Sequence, residues 1–237
     1  MPPTMRRARE TWFAYVQLLR LPNLFTAVAD PLAGWLAVGG GGPPAQLFLL
    51  AGVSAGLYTA GIVLNDCFDY ALDCRERPER PLPRGAIPRA HAWALAALLM
   101  GAALVAAALA GPPTLGVALS LAVLILFYNS WAKRFFFLGP LVLGVCRFAN
   151  FLLGMRSAPL RLWWIPGLLG VYVAVLTLLS RQEAGNPARQ RTIKRLILGI
   201  IVVDAALVTV RGDPVGALLV LSLLVPAIAL GKLLPMT

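Results

Sequence analysis

The sequence is short of charged side chains and of the residues that usually build soluble metal sites. Asp, Glu, Lys and Arg make up 13% of its 237 residues, whereas soluble domains carry about a quarter. A single histidine, His91, and three cysteines leave no Cys/His cluster of the kind that binds zinc. The composition therefore excludes an ordinary soluble domain and a Cys/His metal centre.

Long apolar runs take the place of the missing charge. Hydrophobic residues make up 59% of the chain, and several runs are about 18–22 residues long, enough to cross a ~30 Å hydrocarbon core as helices. We expect one all-α domain over 1–237, a polytopic transmembrane bundle of about eight helices (seven to nine). The predicted spans are about 20–38, 46–65, 91–110, 115–132, 138–155, 160–180, 193–210 and 215–233.

The basic residues are unevenly distributed between the two sides of this layout. Seventeen of the 21 Lys and Arg fall before or between the spans on one side, three fall on the other, and Arg147 lies inside a span. Cytoplasmic loops carry such an excess, so we expect both termini in the cytoplasm, with residues 1–17 as a tail. We expect a bacterial inner-membrane protein whose net charge of +11 meets lipid headgroups and not nucleic acid.

An acidic helix face follows the second predicted span. Asp66, Asp69 and Asp73 stand at i, i+3 and i+7, within roughly a 60° arc of a helix, and Asn65 adds a neutral oxygen. Bare carboxylates beside a bilayer repel one another, so a cation between them is favourable. Mg²⁺ suits this position because it takes hard oxygen ligands, commonly one or two carboxylates plus substrate phosphates.

Arginines follow the aspartates at once, in RPERPLPRG. Arg77, Arg80 and Arg84 are suited to bidentate contacts with phosphate oxygens. Carboxylates, Mg²⁺ and arginines at a lipid boundary favour a site for an isoprenyl diphosphate, whose tail partitions into lipid. The alternative is a solvated helix end whose aspartates pair with Arg75, Arg77 and Arg80.

These residues carry a family resemblance. The pattern N-D-x-x-D-x-x-x-D at 65–73 with R-P-L-x-x-G at 80–85 resembles the first signature of the UbiA superfamily of intramembrane prenyltransferases. LLRLPNLFTAVADPLAG (18–34) is similar to the first helix of that family, and YNSWAKR (128–134) to its tyrosine-to-lysine/arginine motif. The resemblance extends from about 18 to 210.

The resemblance implies a helical bundle around a central apolar cavity with a polar cap on the cytoplasmic side. It implies Mg²⁺ and a prenyl diphosphate at that cap, and transfer of the prenyl group to an aromatic or other lipophilic acceptor. The candidate residues are, for catalysis, Asp66, Asp69 and Tyr128; for the diphosphate, Asn65, Arg77, Arg80, Arg84, Lys133, Arg134, Arg147 and Arg181; for the acceptor or cavity, Asn23, Asp30 and Asn150; and for metal, Asp66, Asp69, Asp73 and Glu183.

One segment departs from the family pattern. The second aspartate-rich motif should fall in TLLSRQEAGNPARQR (177–191), which has a single acid, Glu183. Three readings follow: one metal is retained, Arg181, Arg189 and Arg191 replace the second cation, or the chemistry is lost. The rival function is therefore a non-catalytic or transport-type protein of the same fold that binds a lipophilic metabolite.

Polar residues inside the spans are further candidates, because such residues are costly in lipid. Arg147 and Asn150 share one face of the fifth span and favour a cavity wall over an arginine that snorkels to the surface. Asp30 is a candidate for acceptor binding or for orienting Arg147. Asp204 is interpreted as a packing or helix-pairing group.

Overall fold

The computed structural model describes residues 3–156, 158–181 and 187–234, and the regular elements in those ranges are helical. The α-helices are α1 (Pro3–Leu19), α2 (Leu21–Ala37), α3 (Pro44–Phe68), α4 (Tyr70–Glu76), α5 (Arg89–Ala110), α6 (Pro112–Ser130), α7 (Leu138–Met155), α8 (Trp164–Ser180), α9 (Pro187–Val210), α10 (Pro214–Ser222) and α11 (Leu224–Leu233). Two 3₁₀ turns lie at Ala132–Arg134 and Leu160–Leu162.

The predicted all-α membrane fold is confirmed. Each predicted span coincides with a helix, except that the last is divided between α10 and α11. Within the described ranges, five stretches are long and apolar enough to cross a membrane: α3, α5, α6, α7 and the combined α10–α11 segment. Prolines stand in the first turn of α2, α3, α6 and α10, where the missing N–H has no helical partner to lose.

Residues 1–17, assigned from sequence to a tail, largely belong to the helix α1. Ala14 and Leu18 on this helix are fully buried, while Trp12 and Phe13 remain exposed. The helix packs against α3 and ends at Arg20, whose left-handed backbone turns the chain into α2. The tail assignment missed this packing because the first half of α1 is rich in arginine and most of its apolar residues occur in the second half.

A proline inside α2 leaves a backbone carbonyl free to bond to two other helices. Pro31 has no N–H, so the carbonyl of Ala27, four residues earlier, loses its usual helical donor. The Ser54 hydroxyl of α3 donates to that carbonyl at 2.7 Å, and the Asn150 amide of α7 donates at 2.8 Å. A backbone oxygen that would be unsatisfied in lipid thus holds α2, α3 and α7 in register.

Glycines allow α2 and α7 to cross closely. A Cβ atom at Gly34 would overlap the carbonyl oxygen of Phe151, and one at Gly154 would overlap the carbonyl oxygen of Pro31. Small residues at such crossings let helix backbones approach in membranes. This contact brings the middle of α2 against the polar residues of α7.

Gly154→Ala should therefore destabilise the bundle. The added methyl group must displace backbone atoms, so we expect the free energy of unfolding to fall by about 3 kcal/mol, the upper range for overpacking. Gly101→Ala is the matched control, because a Cβ there meets nothing within 4 Å. Thermal unfolding in detergent measures both, and equal stability of the two variants would contradict the close crossing.

The buried apolar residues form two clusters with α7 between them. One cluster joins α1, α3, α5 and α6, and the other joins α2, α8, α9, α10 and α11; α7 contributes to both. The two clusters meet mainly through α7 and through the contact between α2 and α3, and a cavity lined by residues of both clusters lies between them.

Candidate functional site: a capped intramembrane cavity

The cavity has a volume of about 480 Å³ and is lined by six helices and the segment that follows α4. Its polar lining consists of Arg20, Asn23, Tyr58, Asn65, Arg77, Arg80, Tyr128, Asn129, Arg147, Asn150, Thr177 and Ser180. Its apolar lining includes Leu121, Ile125, Leu143, Val173, Leu176, Ile193, Ile197 and Ile200. The volume is in the usual range for small-molecule sites.

Helical spacing explains the polar and apolar division. On α3, residues 58, 61, 62 and 65 recur at i, i+3, i+4 and i+7 and face the cavity. On α9 and α8 the cavity-facing positions are mostly Ile, Leu and Val, which gives one side a hydrocarbon wall. Tyr58 and Asn65 lie about 10 Å apart along α3, seven residues at 1.5 Å each, so polar groups stand at two levels.

The outer level adjoins a group of carboxylates and cations that we name the acidic cap: Asn65, Asp66, Asp69, Asp73, Arg20, Arg80 and Lys133. Within this group Arg20, Asn65 and Arg80 line the cavity, whereas the three aspartates and Lys133 are not among its lining residues. Asp66 and Asp73 are each 4% exposed. Arg80 lies between them, with its Nη1 2.7 Å from Asp73 Oδ2 and 3.6 Å from Asp66 Oδ1. Arg20 donates to Asp66 Oδ1 from 2.8 Å.

Asp69 departs from the predicted continuous face. The helix α3 ends at Phe68 and α4 begins at Tyr70, although the backbone bonds through Asp69 keep an i to i−4 pattern. Asp69 faces the 3₁₀ turn that follows α6, where Lys133 Nζ lies 2.6 Å from its Oδ1 and 3.3 Å from Asn65 Oδ1. Among the described residues, no three acidic, His or Cys side chains group closely enough to hold a metal together.

The donor set of the cap nevertheless fits Mg²⁺. The ion prefers oxygen ligands and usually takes one or two carboxylates with water and phosphate, so three converging aspartates are not required. The Lys133 ammonium already stands between the oxygens of Asn65 and Asp69, and the Arg80 guanidinium between Asp66 and Asp73. Both pairs of oxygens therefore create positions that attract a cation.

The inner level surrounds Arg147, which does not snorkel to the surface. Its Nη1 and Nη2 donate to the carbonyl and hydroxyl oxygens of Thr26, each at 2.9 Å, and Nη1 lies 3.1 Å from Asp30 Oδ2. The Tyr58 ring lies 5.2 Å from the guanidinium carbon. Asn150 donates to Asp30 Oδ2 at 2.7 Å. We name Asn23, Tyr58, Arg147 and Asn150 the inner polar group.

Asp30 is 0% exposed and contacts the lining residues from behind. Of its two predicted roles, orienting Arg147 matches the contacts, and direct acceptor binding does not. Its partners on α7 are held by the close α2–α7 crossing, so the tertiary contact and the electrostatic one support each other.

Several predicted residues lie away from the cavity wall. Arg84 is exposed and donates to Gln17 of α1 at 2.9 Å. Arg134 is exposed. Arg181 donates to the carbonyl oxygen of Lys133 at 2.9 Å, and so supports a cap residue without lining the cavity. Direct diphosphate roles for Arg84 and Arg134 are therefore not supported by their positions.

Glu183 lies outside the described residues. The last turn of α8, just before it, presents Thr177 and Ser180 to the cavity. Both hydroxyls donate to backbone carbonyls of their own helix. At the described end of α8 the cavity wall is thus neutral, as the sequence of the second motif indicates.

Among the lining residues that sequence reasoning missed are three large polar ones, Arg20, Tyr58 and Asn129. Arg20 was counted only as a topology charge, since its contact with Asp66 joins residues 46 positions apart. Tyr58 had a usable signal, because it precedes Asn65 by two helical turns on the same face. Asn129 adjoins Tyr128, and its amide donates to Ile125 and Gly61 carbonyls.

The fold and the site define a helical membrane bundle whose cavity adjoins a cap of acidic and cationic side chains. Residues 24–181 match the UbiA prenyltransferase family, about two thirds of the chain. The chain belongs to the UbiA prenyltransferase family, as the sequence motifs predicted.

Curated and solved proteins agree with this assignment. The digeranylgeranylglyceryl phosphate synthase of Metallosphaera sedula is 31% identical over 169 residues, which cover 69% of this chain and 58% of that protein. The chain spans about half the length of the first curated relatives it matches.

Two solved structures share the fold. A structure of digeranylgeranylglyceryl phosphate synthase superimposes with a TM-score of 0.65 at 18% identity, over 94% of this chain and 98% of that one. A UbiA homolog from Archaeoglobus fulgidus bound to DMAPP and Mg²⁺ gives 0.64 at 14% identity, over 92% and 87%. Both similarities concern the fold alone.

Proposed function

We propose that this protein is an Mg²⁺-dependent prenyltransferase that moves an isoprenyl group from a prenyl diphosphate to a lipophilic acceptor. The observation that carries the proposal is a cavity whose lining runs from cationic and polar side chains beside the acidic cap to an apolar wall. The diphosphate head of such a substrate needs cations and its prenyl tail needs an apolar surface, and the lining of this cavity provides both. Family membership and the names of the relatives support the same activity.

In this proposal the cap stabilises the leaving group. The C1–O bond of the prenyl diphosphate breaks, and its electron pair leaves with the diphosphate. Arg20, Arg77 and Arg80 line the cavity at this level and would bind the phosphate oxygens, with Lys133 beside them. Charge that grows on the diphosphate in the transition state is then met by side chains already in place.

Asp66, Asp69, Asp73 and Asn65 would hold the metal ion. When bound, Mg²⁺ neutralises phosphate charge and favours departure of the diphosphate. Tyr128 lines the cavity between the cap and the hydrocarbon wall, next to the reacting carbon in this placement. The Ile and Leu side chains of α8 and α9 would hold the prenyl tail and keep water from the allylic carbocation.

The inner polar group would bind the polar part of the acceptor. Asn23, Arg147 and Asn150 line the cavity below the cap, and the acceptor carbon or oxygen that attacks C1 would lie between the two levels. The new bond to C1 forms as the acceptor loses a proton, which the released diphosphate takes up as the base that the reaction itself supplies. The names of the relatives make a prenylglyceryl phosphate one acceptor to test beside aromatic acceptors.

The neutral wall at Thr177 and Ser180 favours one competing function. A protein of this fold with less charge at that side could bind a lipophilic metabolite without breaking a bond. Such a protein would bind a prenyl diphosphate and release none of it as inorganic diphosphate.

Diphosphate release from purified protein separates the two functions. The protein is incubated with Mg²⁺, prenyl diphosphates of several lengths, and aromatic and prenylglyceryl phosphate acceptors. Release that requires both Mg²⁺ and an acceptor supports the transferase. Saturable binding of a prenyl diphosphate with no release under any pairing would replace it with the binding function.

The cap also suggests an orientation in the membrane. Arg20, Arg80, Lys133 and Arg181 meet at one end of the bundle. We propose that this end faces the cytoplasm, as the positive-inside rule indicates, where soluble prenyl diphosphates and Mg²⁺ are available. Labelling of a cysteine introduced beside Glu79 in sealed vesicles tests it, and labelling only from the opposite side would contradict it.

A further inference from the structure

A buried carboxyl group on α9 has no part in the proposed chemistry. Asp204 is 0% exposed, and it continues the α9 face that carries Ile193, Ile197 and Ile200 into the cavity. Neither of its oxygens accepts a hydrogen bond from a donor within residues 3–156, 158–181 and 187–234. Burying an ionised carboxyl group without partners in a membrane protein costs free energy, so the groups around Asp204 must compensate for that cost.

The polar group that faces Asp204 is a second carboxyl group. Asp204 on α9 and Asp30 on α2 are both 0% exposed, and their side chains interact where these two helices pack against each other. Neither carboxylate can donate a hydrogen bond, which is why Asp204 has no partner while both are ionised.

The nearby positive charge, on Arg147, is already paired with Asp30. Arg147 contacts both oxygens of Asp30, at 3.2 and 3.1 Å, and otherwise bonds to Thr26. Two ionised carboxylates beside one guanidinium would leave a net negative charge in the bundle interior, with the two carboxylates repelling each other. One proton shared by the pair removes that charge and supplies the missing donor.

We propose that Asp204 is a positioning residue that carries this proton and donates a hydrogen bond to Asp30. Asp30 then has each oxygen occupied, by Arg147, by Asn150 and by Asp204. Held from behind in this way, it fixes Arg147 and Asn150 in the cavity wall. The further claim that this wall orients the acceptor rests on the proposed function above.

Two substitutions separate a hydrogen-bond donor from a mere space-filler at this position. Asp204→Asn keeps the size and supplies an N–H donor that needs no proton. Asp204→Leu keeps a similar volume and supplies none. We expect Asp204→Asn to retain the wild-type KM for the acceptor within about twofold. We expect Asp204→Leu to raise that KM about tenfold, while KM for the prenyl diphosphate stays unchanged, consistent with one lost hydrogen bond to a charged group.

Infrared spectroscopy tests the proton directly on the wild-type protein without substrate. A carbonyl stretch of a protonated carboxyl group should be present at neutral pH and absent from Asp204→Asn. Asp213→Asn is the matched control, because Asp213 caps α10 through the Gly216 N–H at 2.7 Å and should not contribute to that band. Absence of the band in the wild type would overturn the proposal.

The kinetic and spectroscopic experiments test different claims, so a negative result in one leaves the other valid. If no acceptor is prenylated, the transferase proposal fails, and the infrared band with the thermal stabilities of Asp204→Asn and Asp204→Leu still decides the proton and donor roles. If Asp204→Asn is as impaired or as unstable as Asp204→Leu, the donor role is wrong even where the band is present.

Discussion

Asp66→Asn is expected to reduce Mg²⁺-dependent diphosphate release by at least about 100-fold, the loss typical of a removed metal ligand or transition-state contact. The substitution keeps the shape of the side chain and removes its charge. Asp66 is buried at the end of α3 and accepts from Arg20 at 2.8 Å. In the proposed function its charge would therefore serve both the metal ion and the positioning of an arginine that binds phosphate.

The Asp66→Asn protein should still insert and fold. An amide can accept the Arg20 hydrogen bond, so the cap keeps its geometry although Arg20 and Arg80 lose a counter-charge. Glu79→Gln is the matched control, since this exposed acid follows in the same segment and should leave the rate unchanged. Diphosphate release, membrane yield and thermal stability are measured for each. Normal turnover by folded Asp66→Asn would remove Asp66 from the metal site.

Arg80→Gln should change the affinities for Mg²⁺ and for prenyl diphosphate in opposite directions. Without ligands, Arg80 neutralises Asp66 and Asp73, at 3.6 and 2.7 Å. Removing it takes one positive charge from beside two buried carboxylates, of which Asp66 keeps its contact with Arg20, so Mg²⁺ alone should bind about tenfold more tightly. Prenyl diphosphate should bind about 10- to 100-fold more weakly, since a charge-assisted hydrogen bond contributes about 1.5–3 kcal/mol.

Calorimetric titration of Mg²⁺ and of prenyl diphosphate, separately and together, measures both effects. Arg84→Gln is the control, because Arg84 belongs to the same loop, is exposed, and bonds to Gln17 and not to an aspartate. We expect its two affinities to equal those of the wild type. A parallel loss of both affinities in Arg80→Gln would mean that Arg80 only supports the fold of the cap.

The membrane fold and the acidic motif could be predicted because both depend on local chemistry. A run of about 20 apolar residues must become a helix in lipid wherever it packs. Likewise, helical spacing alone places Arg147 and Asn150 on one face, and both line the cavity. The predicted convergence of three aspartates did not appear in this form, because Asp69 turns toward Lys133 of the α6 connection.

Arg20 illustrates what local reasoning could not reach. Its backbone is left-handed, at φ 46° and ψ 50°, a conformation that costs a non-glycine residue roughly 1–2 kcal/mol. No sequence pattern predicts the left-handed turn at Arg20. The contact of Arg20 with Asp66 depends on how α2 packs against α3. The partner of a long charged side chain is chosen by tertiary geometry.

The sequence by itself determined the membrane-spanning helices, the concentration of carboxylates and arginines at one end, and the family, since hydrophobic length and motif spacing are properties of the chain. The tertiary structure alone decided which charges meet. Arg80 rather than Arg75 pairs with the aspartates, Lys133 reaches Asp69, and Asp204 faces Asp30. Those choices depend on glycine-permitted helix crossings such as that of α2 and α7, because charged groups buried in lipid bind whichever partner the packing brings within reach.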